Sequence, residues 1–194
     1  MLKLCISLLG LGLLSGCSPK ADDPAIDFSA SDEAIIRESQ QLVQSLKTEL
    51  SSELKAALQS GGIPAAIEVC QSMATPITEG ITAEEDLVQI GRTALRFRNP
   101  ANAPSADSRE ILEEWNTYVM ATGKTPKPEV DRTDRTLIVH YPIRLQANCL
   151  ACHGDPDSFQ PEVTEALKNF YPNDAAVGFA EGDLRGAFRV EYRR

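Results

Sequence analysis

The chain has 194 residues, 42% of them hydrophobic, with five Cys, two His and a formal net charge of −9. That length and apolar content suit one domain with a packed core rather than a disordered chain. The acidic balance argues against a nucleic-acid partner and against electrostatic attraction to anionic lipid.

Residues 1–16 read as a lipoprotein signal peptide. Lys3 gives a positive start, Ile6 to Leu14 is a mainly apolar run too short to span a bilayer, and small residues follow. The run ends Leu14-Ser15-Gly16-Cys17, which resembles a bacterial lipobox and implies cleavage before Cys17 and lipid on its thiol. An ordinary signal peptide or an uncleaved anchor is the alternative. Residues 17–30 then form the acylated cysteine and a polar, proline-bearing tether, and 31–194 the folded domain. The expected address is the periplasmic side of a bacterial membrane. Ser18 suits the outer membrane of a Gram-negative cell, and contact with the bilayer is through the lipid alone.

Ser31 caps a long helix with Asp32 and Glu33 in its first turn. Ile35, Leu42, Leu46, Leu50 and Leu54 or Leu58 form a narrow stripe that stops at Gly61-Gly62. Such a stripe either packs on the domain or makes a homodimer through a coiled coil. Pro64 opens a second helix, Ala65 to about Met73, closed by Thr75-Pro76. Ile67, Cys70 and Ala74 share one face of it, which turns Cys70 inward. Gly91 to Arg98 alternates as a half-exposed strand with one basic face, Arg92, Arg96 and Arg98. In so acidic a chain that face either meets solvent or receives carboxylates.

Asp107 and Glu110 start a third helix with Ile111, Leu112, Trp115 and Val119 inward. Gly123 to Asp134 reads as a connector and Leu137 to Ile143 as a second strand. A helix from Pro161 to Phe170 follows, then the turn Tyr171-Pro172-Asn173-Asp174. A last hairpin closes at Glu181-Gly182-Asp183, with Phe188, Val190 and Tyr192 on one face of the final strand.

Between the second strand and the Pro161 helix lies Asn148-Cys149-Leu150-Ala151-Cys152-His153-Gly154. It reads as a covalent attachment site for one haem c. Two thiols three residues apart share one side of a helical turn, where each can add across a haem vinyl group. The following histidine can then aim its imidazole at the iron. Zinc is disfavoured because Cys152 and His153 are adjacent and no second ligand pair completes a set of four. A thioredoxin-like dithiol needs a βαβ frame that the flanking sequence lacks. The haem and the export signal agree on one compartment. Once Cys5 leaves with the signal, Cys17 takes lipid and Cys149 and Cys152 take haem, only Cys70 is unassigned. A buried structural thiol is its ordinary explanation.

Several segments together resemble one family. They are Ala66-Ile67-Glu68-Val69-Cys70, Gly91-Arg92-Thr93, Arg98-Asn99-Pro100, the haem motif, Tyr171-Pro172 to Asp174, and Gly182-Asp183-Leu184-Arg185-Gly186-Ala187. The family is a single-haem c-type PAS-like sensor domain of largely unknown function. It occurs as the periplasmic haem domain of histidine kinases and as stand-alone lipoproteins, including a cyanobacterial photosystem-associated haem protein. The resemblance spans roughly 31–192. It implies an α+β fold, a small antiparallel sheet flanked by helices with a long N-terminal helix, and haem held between sheet and helices. It also implies an unusual sixth iron ligand, the cysteine matched here by Cys70.

The expected function is a lipid-anchored haem c protein with His153 and Cys70 on the iron and with Arg92, Arg96 and Arg98 as candidate partners of the haem propionates, acting in redox or small-gas sensing. Because the chain stops at Arg194, sensing is expected to need a separate redox or signalling partner. A plain electron-transfer cytochrome without a ligand switch is the alternative. No enzymatic role is expected, since no distal His and Arg pair is recognisable and a filled sixth position blocks substrate. His140, Met73 and Met120 are rival sixth ligands.

Overall fold

A computed structural model of the chain describes residues 26–72, 74, 77–78 and 87–194. The expected signal peptide, Cys17, most of the tether, Met73 and the Thr75-Pro76 stop lie outside the described residues.

Helix α1 runs Asp32–Ser72, and the Ser31 hydroxyl accepts from the Ala34 amide at its start. Gly61 and Gly62 leave helical geometry, with Gly62 at φ 70°, ψ −159°. Only glycine holds that conformation cheaply. The glycine pair therefore divides α1 into a long first arm and a short second arm that carries Cys70, as the sequence suggested. Strand β1 (Val88–Thr93) follows, then α2 (Ala106–Thr122), β2 (Glu129–Arg132) and β3 (Thr136–Arg144). The chain continues through a 3-10 turn (Ala147–Cys149), α3 (Leu150–His153), α4 (Pro161–Phe170) and β4 (Leu184–Arg193).

The strands form one antiparallel sheet in the order β1-β4-β3-β2. This is the expected α+β architecture, a small PAS-like sheet flanked by helices. The last strand is central rather than the arm of a terminal hairpin, because β4 pairs β1 on one side and β3 on the other. The residues just before it, 175–180, are irregular. Pro142 is tolerated in β3 because β2 has already ended, its last pair being Glu129 with His140.

Period-two alternation gives the sheet two apolar faces. On one, Ile90, Leu137, Val139, Tyr141, Val190 and Tyr192 pack against Ile35, Val43 and Leu46 of α1. Each such side chain contributes about 1.5–3 kcal/mol on burial. The Ser39 and Tyr141 hydroxyls meet at 2.6 Å in the same layer. Leu54 and Leu58, farther along α1, are 36% and 42% exposed, so the helix docks on the sheet by its first half. On the other face, Leu112, Trp115 and Val119 of α2 cover Leu184 and Ala187. The cap of α2 is Ser105, whose hydroxyl accepts from the Ser108 amide, two residues before the Asp107 start read from sequence.

Two sequence expectations are corrected. The strand expected over Gly91 to Arg98 is Val88–Thr93, so Arg92 lies on it while Arg96 and Arg98 lie beyond its end. The 123–134 connector contains β2, a short polar strand. No helix of the described residues is long and apolar enough to cross a membrane.

Candidate functional site

The turn carrying the two cysteines is shaped by what leads into it. Leu145 leaves β3 and exchanges backbone bonds with the 182–183 turn, its amide donating to the Asp183 carbonyl at 3.0 Å. The 3-10 turn and α3 then run on as one tight coil, closed by the Gly154 amide on the Leu150 carbonyl at 2.8 Å. A three-residue step on such a coil brings Cys149 and Cys152 to the same side. Cys149 packs on Leu145, Ala176 and Phe179. Cys152 packs on Ile67, Val163, Ala166, Leu167 and Tyr171. The thiols thus mark the seam between two apolar clusters, one reaching α1 and α4.

His153 ends this coil. Its Nδ1 lies 2.6 Å from the Ala176 carbonyl oxygen. A carbonyl only accepts, so Nδ1 carries the proton. Burial first, then Arg98 and Arg185, push the imidazole pKa down to about 3, so the ring is neutral and Nε2 holds a lone pair. This is the tautomer a metal-binding histidine needs. Phe179 stands edge-on to the ring at 6.4 Å, and its amide donates to the His153 carbonyl at 3.0 Å.

Four arginines surround this histidine. Arg98 Nε pairs with Asp174 Oδ2 at 2.9 Å, both side chains about a tenth exposed. Its Nη2 donates to the Cys152 carbonyl at 2.5 Å and, more weakly, to that of Ala176 at 3.4 Å. Arg98 is thereby committed to the protein's own backbone. Arg96 donates to the Ala175 carbonyl and stacks on Phe179 at 3.8 Å. Arg185 donates to the Arg96 carbonyl, and burial first, then Arg98 and Arg92, lower its pKa to about 10. Arg92 is half-buried on β1. Among the described residues, none of Arg92, Arg96 and Arg185 has a carboxylate partner. Cations collected without counter-charge fit an anionic ligand.

Cys70 comes to the same place from far along the chain. Its thiol lies within electrostatic reach of Cys152, Arg92, Arg98 and Tyr171. Burial pushes its pKa up, and Arg92 and Arg98 oppose that. Of the rival ligands, His140 and Met120 lie elsewhere. His140 is on the face of the sheet opposite Arg92, since it pairs in line with Arg189 and Gly91 while Arg92 aligns with Phe188 and Tyr141. Far from being a surface residue, it is fully buried, with Nε2 on the Ser108 hydroxyl at 2.9 Å. Met120 is 79% exposed on α2.

Sequence reasoning assigned no chemistry to Arg185, Asp174, Tyr171 or Phe179. All four lie in or near segments that carry the family resemblance, which was the available signal. Taken together, the residues fit a c-type haem. They offer two thiols on one turn, an imidazole with a free Nε2, a third thiol in Cys70 within electrostatic reach, and guanidiniums without carboxylate partners that suit two propionates.

The family model described as Tll0287-like: Tll0287 matches residues 27–192. The chain belongs to the Tll0287-like family. A solved structure that it resembles is titled "Crystal structure of the cyanobacterial heme-protein Tll0287", with a TM-score of 0.61 and 24% identity. The match covers 85% of this chain and 98% of that one, so the Tll0287-like fold spans nearly all of the described residues. Among curated proteins, none matches.

Proposed function

We propose that this member of the Tll0287-like family is a lipid-anchored, extracytoplasmic c-type haem protein that works in redox or small-gas sensing. One covalent haem would be held by Cys149 and Cys152, with His153 and Cys70 as iron ligands. The observation that carries the reading is the His153 bond to Ala176, which leaves Nε2 free on the same turn as the two thiols. The solved haem protein that this chain resembles adds support. Arg92, Arg96 and Arg185 are the residues proposed for the propionates, with Arg185 added to the set read from sequence. Arg98 is proposed to steady the site rather than bind a propionate directly.

When bound, such a group supplies a one-electron couple and an iron charge that favours thiolate in the ferric state. The protein's part is to decide what happens at Cys70. Burial disfavours its thiolate while Arg92 and Arg98 favour it. Burial prevails and holds the thiol pKa up, so once reduction lowered the iron charge Cys70 would be able to take a proton and leave. Cys70 rides the short arm of α1 beyond the glycine kink, so its release would free that arm to move. That movement is the proposed signal, passed to a separate redox or signalling partner.

The test is Cys70→Ala and Cys70→Met, read by ferric absorption and electron paramagnetic resonance of the purified holoprotein. Both variants are expected to lose the wild-type low-spin spectrum. Retention of that spectrum in both would make Cys70 a packing residue and the protein a carrier without a switch.

A further inference from the structure

We infer that Arg98 and Asp174 are positioning residues for the His153 imidazole, and that their opposed charges tune the iron this imidazole would bind. The inference rests on the haem reading above. The backbone of Ala176 is held on both sides of its Cα. Its amide donates to Asp174 Oδ1 at 2.8 Å, and its carbonyl accepts from His153 Nδ1 at 2.6 Å. Asp174 Oδ2 accepts from Arg98 Nε at 2.9 Å, and Arg98 Nη2 reaches both that same carbonyl at 3.4 Å and the Cys152 carbonyl at 2.5 Å. These contacts close a ring that joins the cysteine turn, the 174–176 segment and Arg98. Ala176 is fully buried, and the Arg98 and Asp174 side chains are each about a tenth exposed, so the ring is largely withdrawn from water.

Each charge acts on His153 in a definite direction. Arg98 shares the Ala176 carbonyl with Nδ1–H, which weakens that carbonyl as an acceptor and makes the imidazole a poorer electron donor. Its positive charge also favours the reduced iron. Asp174 opposes both effects by neutralising Arg98. Removing one member of the pair should therefore shift the couple one way, and removing the other should shift it the opposite way. A pair that merely tied two segments together would loosen the same contacts whichever member was lost.

The experiment is spectroelectrochemical titration of full-length holoprotein for wild type, Asp174→Asn and Arg98→Gln. The amide oxygen of the introduced asparagine can still accept from the Ala176 amide, so the first variant removes charge while keeping the bond that orders the peptide. We expect Asp174→Asn to shift the ferric–ferrous equilibrium about tenfold toward ferrous, and Arg98→Gln about tenfold toward ferric. Shifts of the same sign, or none, would overturn the inference. Should Arg98→Gln yield no holoprotein, Arg98→Lys decides, since it keeps the charge but loses the planar fork. A near-wild-type potential with a broadened low-spin resonance signal is then expected, and an unchanged signal would overturn the positioning role. Wild-type protein without a covalent chromophore would instead sink the haem reading itself, which separates the two failures.

Discussion

His140 and His153 are both neutral imidazoles, the first fully buried and the second half-buried, and their nitrogens are engaged differently. His153 has one nitrogen engaged by a carbonyl and the other free. His140 has Nε2 on Ser108 and Nδ1 buried without a partner. Burial first, then Arg189, lowers its pKa to about 4, with Asp107 opposing. An unfolded histidine titrates near 6.5, so between about pH 6.5 and 4 the unfolded chain binds a proton that the folded chain refuses. Stability from His140 is thus complete above the unfolded pKa and falls as pH drops, by about 3 kcal/mol at most. Thermal melts of holoprotein from pH 7 to 4 should show this loss, and His140→Gln should flatten it. An equally steep fall in that variant would place the acid sensitivity elsewhere. The turn that sets Cys149, Cys152 and His153 together was legible because its residues are nearly consecutive. Arg98 was misread as a member of a strand face because its partners Cys152 and Asp174 lie 54 and 76 positions away. No local pattern records such a ring.

At the scale of elements, two glycines position the site. Gly62 turns α1 so that its second arm, with Cys70, reaches the cysteine turn. A Cβ there is strained at φ 70°, and Gly62→Ala should cost about 1–3 kcal/mol. It should also perturb the ferric spectrum by moving Cys70. A variant with wild-type melting and spectrum would show that the kink does not set the ligand. Gly186 explains where β1 ends. A Cβ on it would collide with the Thr93 carbonyl oxygen, so the two strands close in there. After the pair Thr93–Ala187 the β1–β4 ladder stops, although the alternation of the sequence runs on to Arg98. Period two was legible; the loss of a pairing partner was not. Helices fared better because their signals are internal: the Gly61-Gly62 break and Pro161 at the start of α4 fall where the sequence puts them. β2 escaped notice as four mostly polar residues whose strand character comes from pairing with β3.

Over the whole molecule, the chain is acidic but concentrates four arginines around His153. α1 joins that site to the sheet by its two ends, and the stretch with Leu54 and Leu58 lies outward between them. Leu46→Ala should therefore lower stability by about 2–5 kcal/mol, whereas Leu54→Ala should change it by about 0.5 kcal/mol or less. Denaturant unfolding checks the pair, and equal losses would mean that the outer stretch is packed as well. The proposed lipid anchor belongs to this scale too. Cys17→Ser should leave a precursor or a soluble form, and a processed variant that still fractionates with membranes would refute acylation. All of this depends on the chromophore being part of the chain. The most direct measurement is extraction of the purified holoprotein with acidified acetone, which breaks coordination bonds but spares thioethers. The account predicts that the colour stays with the polypeptide, and that Cys149→Ser or Cys152→Ser sharply reduces the amount of coloured protein. Colour passing into the solvent would contradict it.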